Sequence, residues 1–98
     1  MHPDKVVREQ TETLTDLPNI GKAMALDLQV LGINKPGDLI DRDPYAMYEQ
    51  LCTQTGYRHD PCVLDVFIAI TRFMNGDEPK PWWAYTSERK QRLQDRSS

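Results

Sequence analysis

The segment Leu17–Gly21 and the lysine that follows it contain the residues best suited to bind a ligand. Gly21 stands where a helix is expected to begin, and the first backbone N–H groups of a helix have no intrahelical partner. Because the helix dipole also favours negative charge at this end, these N–H groups form a site for an anion. Lys22 adds a positive charge beside them. The segment therefore predicts an anion site, with Asn19 in the turn and Ala23 in the first helical turn as its other members.

The pattern around this segment is typical of a helix-hairpin-helix motif, which we place at about residues 11–33. Leu17 precedes a turn rich in Pro, Asn and Gly, and Ile20 is predicted to insert between the two helices. The small Ala23 would let those helices approach each other. In DNA-binding motifs of this type the anion is a backbone phosphate. The predicted ligand is therefore double-stranded DNA, bound without sequence preference because phosphate contacts carry no sequence information.

Two features predict that such binding is weak. Motifs of this type that bind DNA usually have glycine where Asn19 stands; asparagine tolerates a left-handed backbone, but its side chain crowds the approach. In addition, Asp16 and Asp27 offset the charges of Lys22 and Lys35. A single hairpin offers few phosphate contacts, and both affinity and salt dependence grow with their number.

The charge of the chain is distributed unevenly. The net charge of -3 argues against a strong nonspecific nucleic-acid binder. Residues 1–79 carry seven basic residues against thirteen acidic ones, whereas residues 80–98 carry five against two. The basic tail at residues 86–98 is thus a second candidate surface, with Arg89 and Lys90 as its contacts. A solvated helix face is the alternative interpretation of such a tail.

Cys52, His59 and Cys62 invite an interpretation as zinc ligands, but close ligand pairs on a tight turn and a fourth ligand are missing. Cys62 lies in the first turn of a predicted helix, where the pKa of a thiol can fall enough to make a nucleophile. A chain this small has little room for an oxyanion site and a substrate cleft as well. We therefore expect buried, reduced cysteines, no metal, no cofactor and no catalytic activity.

Two adjacent tryptophans, Trp82 and Trp83, follow a proline-stiffened segment that begins at Pro79. In an extended segment adjacent side chains point to opposite sides. We expect one tryptophan to lock onto the core while the other covers the last helix or stays open. A base-stacking platform for nucleic acid is the alternative, favoured by the basic tail.

Asp65 and Arg72 interrupt a strongly apolar predicted helix and lie seven residues apart, hence on one face. The simplest interpretation is that this face touches solvent or that the two residues pair with charges elsewhere. A functional acid at Asp65 would also need a cleft and a partner.

The elements that position these residues are all predicted to be helices. Asp-Pro pairs at 43–44 and 60–61 each supply a cap followed by a first helical residue. Gly32 with Ile33 predicts a helix stop. Leu39 and Ile40 are expected to face inward from a short helix, and Thr86 is expected to cap the last helix.

The predicted helices span about residues 4–14, 21–31, a short segment from 36, 44–55, 61–74 and 86–93. The helix at 61–74 is apolar nearly all round and is therefore predicted to be central and buried.

Together these patterns predict one compact all-α domain over residues 1–98. It has about five to six helices, one helix-hairpin-helix motif, an extended Trp-Trp connector and a C-terminal helix. No apolar run approaches the roughly 20 residues that span a bilayer, and the first residues lack the apolar core of a signal peptide. We therefore expect a cytoplasmic protein that does not contact a membrane. The oligomeric state stays open.

Several blocks of the sequence resemble those of one bacterial family. The blocks are Leu17-Pro18-Asn19-Ile20-Gly21, Leu31-Gly32-Ile33, Asp43-Pro44 with Tyr48 and Leu51, Asp60-Pro61-Cys62-Val63-Leu64-Asp65-Val66-Phe67, Met74-Asn75-Gly76, Pro81-Trp82-Trp83, and Tyr85-Thr86 with Arg89-Lys90. Over about residues 14–90 the chain resembles the small bacterial helix-hairpin-helix proteins labelled "pathogenicity locus" or "mitomycin resistance" proteins. The hairpin segment is also similar to the C-terminal domain of the competence regulator TfoX. The resemblance implies a link to DNA or to DNA-damage tolerance, without a biochemical activity.

Two alternative functions are therefore considered. The first is weak, nonspecific binding of double-stranded DNA through the hairpin and the basic tail. The second is a protein-interaction module in which the same helices dock a protein partner or a second copy of the chain. The acidic body, Asn19 and the tryptophan pair favour the second, because exposed aromatic residues anchor protein interfaces.

Overall fold

The computed structural model describes residues 11–97, and the side chains of residues 11–92. In that part of the chain, helices α1 to α4 span Lys22–Val30, Pro44–Thr55, Pro61–Met74 and Thr86–Ser97. Three short 3-10 helices lie at Leu14–Asp16, Pro36–Leu39 and Trp82–Tyr85. No strand occurs among these residues, so the all-α prediction is confirmed. No helix of residues 11–97 is long and apolar enough to cross a membrane.

Helix α3 forms the centre of the fold, as predicted. Its residues from Leu64 to Thr71 are all buried, and so is Phe73. Helices α2 and α4 pack against it, and so do the 3-10 helices at Pro36–Leu39 and Trp82–Tyr85. Helix α1 lies further out and contacts α2. Because α3 is apolar on nearly every side, it is stable only when other elements cover it all round.

The helix boundaries follow from local chemistry that the sequence displays. Asp43 accepts a hydrogen bond from the Tyr45 backbone N–H at 2.9 Å, and Asp60 accepts one from Cys62 at 2.8 Å. In both cases proline occupies the first helical position, where its missing N–H costs nothing. Gly56 ends α2 in the left-handed conformation. The caps predicted at the two Asp-Pro pairs are confirmed.

Helix α1 also ends as predicted. Gly32 has a φ of +81°, which favours glycine. Its N–H donates to Gln29 and the N–H of Ile33 donates to Leu28, the pair of bonds that defines a Schellman stop. Ile33 is fully buried, so the chain folds back onto the last turn of the helix.

The prediction of an α-helix at about residues 4–14 is wrong over residues 11–13, which the structure describes. Residues 4–10 of that prediction lie outside the described residues, and Thr11–Thr13 are not helical. Thr13 is extended and caps the 3-10 helix at Leu14–Asp16, because the Asp16 carboxylate accepts the backbone N–H groups of Glu12 and Thr13. This local capping box starts a new helical turn at the position where the α-helix was predicted to end.

Three other predictions need correction. Leu39 is buried, but Ile40 is 51% exposed because it leaves the 3-10 helix in an extended conformation that turns its side chain outward. Trp82 and Trp83 belong to a 3-10 helix and not to an extended connector. Thr86 does not cap α4; its hydroxyl donates instead to Asp65 on α3.

The two tryptophans nevertheless separate as expected. Successive residues of a 3-10 helix point about 120° apart, so adjacent side chains diverge without an extended backbone. Trp82 packs against the core, whereas Trp83 is 62% exposed. Their rings meet edge to face, with centroids 5.6 Å apart. Trp82 therefore contributes to the packing of the fold, whereas Trp83 is accessible to solvent.

Candidate nucleic-acid interface

The Leu17–Gly21 turn is held by its apolar residues. Leu17, Pro18 and Ile20 are buried, and Leu17 and Ile20 belong to the main hydrophobic core. Between them Asn19 has a φ of +69°, in the left-handed region that asparagine tolerates better than other residues with a side chain. The turn is thereby fixed against the core, and the backbone that follows it enters α1 in a set direction.

The side chain of Asn19 is directed into the fold. Its Nδ2 donates to the carbonyl of Lys80 at 2.9 Å, and its Oδ1 accepts from the Trp82 N–H at 3.3 Å. The amide thus joins the turn to the segment that leads into the 3-10 helix at Trp82–Tyr85. This contact removes the reason for expecting Asn19 to crowd an approaching phosphate, because both of its polar atoms bind the protein's own backbone.

The same contact brings two further residues to the turn. Lys80 is exposed, and its backbone lies against Asn19. Trp83 follows Trp82, whose N–H binds the same amide. Sequence reasoning did not assign Lys80 to the site, because 61 residues separate it from Asn19. No local pattern could have indicated the pairing.

Gly21 caps α1 without a side chain. It is exposed, has a φ of -102°, and provides no side-chain hydrogen bond to the N–H groups that follow. A Cβ built on Gly21 has no described atom within 4 Å. Neither backbone conformation nor packing against the described residues therefore requires glycine at this position. Because Gly21 has no side chain, no side chain at this position covers the first backbone N–H groups of α1.

The residues after Gly21 are also exposed. Lys22 and Ala23 both face solvent, so Ala23 is not buried between two helices. The apolar face of α1 consists of Met24 and Ala25, which pack partly against the core, and of the fully buried Leu28. The first turn of α1 thus presents backbone, one methyl group and one ammonium group.

Negative charge lies close in sequence to this helix start. Hydrogen bonds from the backbone N–H groups of Thr13 and Glu12 hold the pKa of Asp16 below its ordinary value. Asp16 therefore stays ionised throughout the physiological pH range. A fixed carboxylate so near the turn opposes the binding of a second anion, as the sequence suggested.

The two candidate cations of the tail have different surroundings. Arg89 is buried, and its Nε and Nη2 donate to the two carboxylate oxygens of Asp65 at 2.9 and 3.2 Å. Lys90 is exposed. In this structure the Arg89 guanidinium therefore joins α4 to α3, and of the two candidate cations only Lys90 faces solvent.

The two charged residues of α3, Asp65 and Arg72, both form ion pairs with residues of α4. Asp65 is completely buried and accepts hydrogen bonds from Thr86 and Arg89. Arg72 donates to both carboxylate oxygens of Glu88 on α4. Both residues thus pair with charges elsewhere, which was the simpler of the two interpretations.

The cysteines and His59 have structural contacts. The His59 ring lies 2.8 Å from the Thr55 hydroxyl, and its backbone N–H donates to the Cys52 sulfur at 3.4 Å. Cys52 is buried and Cys62 is half-buried, and both are free thiols. Among the described residues, no group of three or more histidine, cysteine or acidic side chains is arranged to hold a metal ion.

The Cys62 thiol does not have the lowered pKa that its place at a helix start suggested. Its hydrogen bond with the Asp60 carboxylate, followed by burial, raises the pKa of Cys62 above its ordinary value. The anionic cap thus opposes the helix dipole, because a thiolate beside a carboxylate is unfavourable. At neutral pH the thiol stays protonated.

Replacing Asp60 with Asn is expected to make Cys62 more reactive. Asparagine still caps α3, but the neutral amide no longer raises the pKa of the thiol. We expect the rate of alkylation by iodoacetamide at pH 8 to rise by about threefold or more, because a larger fraction of the thiol is deprotonated. Mass spectrometry of the modified peptide separates Cys62 from Cys52. An unchanged rate would contradict the role of Asp60.

Comparison with known proteins gives a family. The pathogenicity locus family, Cdd1, matches residues 7–91. The chain is also 40% identical over 80 residues to the mitomycin resistance protein McrB of Streptomyces lavendulae, covering 82% of this chain and 76% of that protein. No solved structure matches. The matched region contains the Leu17–Gly21 turn, all of α1 to α3 and the Asn19 contact with the tryptophan segment. The chain belongs to the pathogenicity locus family.

Proposed function

We propose that this protein binds double-stranded DNA weakly and without sequence preference. The Leu17–Gly21 turn acts as the hairpin of a helix-hairpin-helix motif at about residues 11–33, and α1 is its second helix. The N–H groups at the start of α1 contact one backbone phosphate. Lys22 neutralises part of its charge, and Lys90 on α4 is a further candidate contact.

The conformation of Gly21 is the observation that carries this proposal. Glycine is usually explained by a positive φ or by a close packing contact, and Gly21 has neither among the described residues. A serine, threonine, asparagine or aspartate at the same position would cap α1 and stabilise it. Each of those side chains would also occupy the N–H groups that an external anion needs. A bare cap is therefore expected where the helix start binds a ligand.

The charges around the turn support a weak interaction. Lys22 is exposed, and the backbone of Lys80 lies against Asn19, so the turn has two lysines in or beside it. Asp16 opposes them. With one phosphate site and few free cations, few counterions are released on binding, so the affinity is low and falls only gradually as salt rises. Such an interaction suits a protein that acts together with a larger partner on DNA.

The relative from Streptomyces lavendulae is named for resistance to mitomycin. We extend the proposal to a role in DNA-damage tolerance, in which DNA binding holds the protein at its site of action. The proposal includes no catalytic step.

Replacing Lys22 with Glu is expected to weaken duplex binding by about tenfold at low salt, because one attractive charge becomes repulsive. Fluorescence anisotropy of a labelled duplex over a salt series measures the change. Lys35→Glu is the matched control, because it introduces the same change beyond the opposite end of α1. Lys90→Glu tests the tail without removing Arg89, whose loss would break its contact with Asp65. Equal effects of Lys22→Glu and Lys35→Glu would contradict a site at the start of α1.

A protein-interaction module is the second candidate function. Trp83 is 62% exposed and Leu26 is 63% exposed, and large exposed apolar side chains are typical anchors of protein interfaces. One measurement, duplex binding at low salt, distinguishes the two functions. If the folded protein does not bind a duplex even at low salt, protein interaction becomes the better explanation of these residues.

A further inference from the structure

A cleft of about 360 Å³ lies on a different part of the molecule from the Leu17–Gly21 turn. The start of α2, the end of α3 and one side chain of α4 form its walls. The residues that carry its chemistry are Arg42, Asp43, Tyr45, Arg72, Asp77 and Arg92. Its volume lies within the range of small-molecule sites in proteins.

Tyr45, one of the residues that line the cleft, has a buried hydroxyl group without a partner among the described residues. Tyr45 is only 5% exposed, and no hydrogen-bond partner for its hydroxyl is present among the described residues. A buried hydroxyl in this state costs stability that phenylalanine would not cost. Tyr48, one turn later on α2, shows the usual arrangement, because its hydroxyl donates to the His59 carbonyl. Burial raises the pKa of Tyr45, so its hydroxyl is a neutral donor at physiological pH.

The arginines of the cleft differ in how they are held. Arg72 is paired with Glu88. Arg92 is an exposed residue, and its guanidinium lies over the Tyr45 ring, 4.5 Å from the ring centroid. Arg42 is half-buried, and the ion pairs among the described residues do not include it. A guanidinium stacked on an aromatic ring keeps its in-plane N–H groups available for an oxyanion.

The acidic residues of the cleft limit the charge of its ligand. Asp43 already accepts the Tyr45 backbone N–H, and Asp77 offsets part of the arginine charge. Three groups of the cleft lack an ionic or hydrogen-bond partner among the described residues, and all three can donate: Arg42, Arg92 and the Tyr45 hydroxyl. They match the three terminal oxygens of a phosphate monoester, whereas a carboxylate has only two.

We propose that this cleft binds a small molecule through a phosphate monoester group, with Arg42, Arg92 and the Tyr45 hydroxyl as its donors. Because Arg92 covers the Tyr45 ring, a phosphate that draws the guanidinium outward also uncovers the hydroxyl. This site is independent of the proposed DNA contact at Gly21.

The test is an NMR titration of the 15N-labelled protein with phenyl phosphate at constant ionic strength. We expect shifts of the Tyr45 and Arg72 backbone amides. Benzoate, which has the same ring with a carboxylate, should bind more weakly. Arg42→Gln should weaken phenyl phosphate binding as Tyr45→Phe does. No shift of these amides, or equal shifts with benzoate, would overturn the proposal.

Replacing Tyr45 with Phe is expected to change stability and binding in opposite directions. Loss of the unpaired hydroxyl should raise Tm by about 4 °C, while phenyl phosphate affinity should fall by about tenfold, as expected for a lost hydrogen bond to a charged group. Tyr48→Phe is the matched control, because it removes a hydroxyl that has a partner; it should lower Tm and leave phenyl phosphate affinity unchanged.

Two outcomes distinguish this site from the DNA site. If a DNA duplex shifts the Tyr45 and Arg72 amides and phenyl phosphate does not, the cleft binds a backbone diester and the proposal is wrong. If Gly21→Asp abolishes duplex binding but leaves phenyl phosphate affinity unchanged, the two sites are separate, as proposed.

Discussion

Replacing Asp65 with alanine is expected to destabilise the protein by about 3–5 kcal/mol, because it leaves the Arg89 guanidinium buried without its counterion. Asp65 is completely buried and accepts three hydrogen bonds, from the Thr86 hydroxyl at 2.8 Å and from Arg89 at 2.9 and 3.2 Å. These bonds join α3 to α4. Urea denaturation followed by circular dichroism measures the change in free energy of unfolding.

The neighbouring ion pair provides a matched control. Arg72 and Glu88 also join α3 to α4, but their side chains are 39% and 42% exposed. Solvent screens such a pair, so Glu88→Gln should cost no more than about 1 kcal/mol. Similar losses for the two variants would mean that Asp65 contributes only as a surface charge. The double variant Asp65→Leu with Arg89→Met should recover most of the lost stability, since apolar groups can replace a buried pair.

Replacing Gly21 with Asp is expected to stabilise the protein and to weaken its binding of DNA. Aspartate is a favoured N-cap, and its charge is favourable at a helix start, so we expect a gain of about 0.5 kcal/mol in the free energy of unfolding. The same carboxylate occupies the N–H groups of α1 and repels phosphate. Duplex affinity at low salt should therefore fall by about tenfold or more, measured by anisotropy.

Gly37→Asp is the control for this variant. Gly37 is exposed, and a Cβ built on it also has no described atom within 4 Å. The substitution adds the same charge to the protein away from the start of α1. We expect duplex affinity to change by less than about twofold, as for one distant screened charge. If Gly37→Asp weakens binding as much as Gly21→Asp does, net charge and not the helix start controls the interaction.

Features set by local chemistry were predictable from the sequence. The Asp-Pro pairs at 43–44 and 60–61 cap their helices, and Gly32 ends α1, because the interactions that fix these positions connect residues only a few positions apart. The central place of α3 followed from its composition. The helix predicted to reach Leu14 failed for the same local reason, since the Asp16 carboxylate starts a separate 3-10 helix.

Contacts between distant segments were not predictable. Asn19 looked like an obstacle to phosphate, but its amide binds Lys80 and Trp82 more than 60 residues away. Arg89 looked like a free cation of the tail, but it is buried against Asp65. In both cases the side chain's partner is set by tertiary packing, which no local spacing records. The helix-hairpin-helix interpretation and the similarity to TfoX remain predictions.

The most direct test of the proposed DNA contact is an amide shift map during titration with an unlabelled duplex at low salt. The proposal predicts that the Gly21, Lys22 and Ala23 amides shift first, and that these shifts disappear as salt is raised. Shifts confined to the residues of α4, or a folded protein whose amides do not respond to the duplex, would contradict the claim that the start of α1 binds a backbone phosphate.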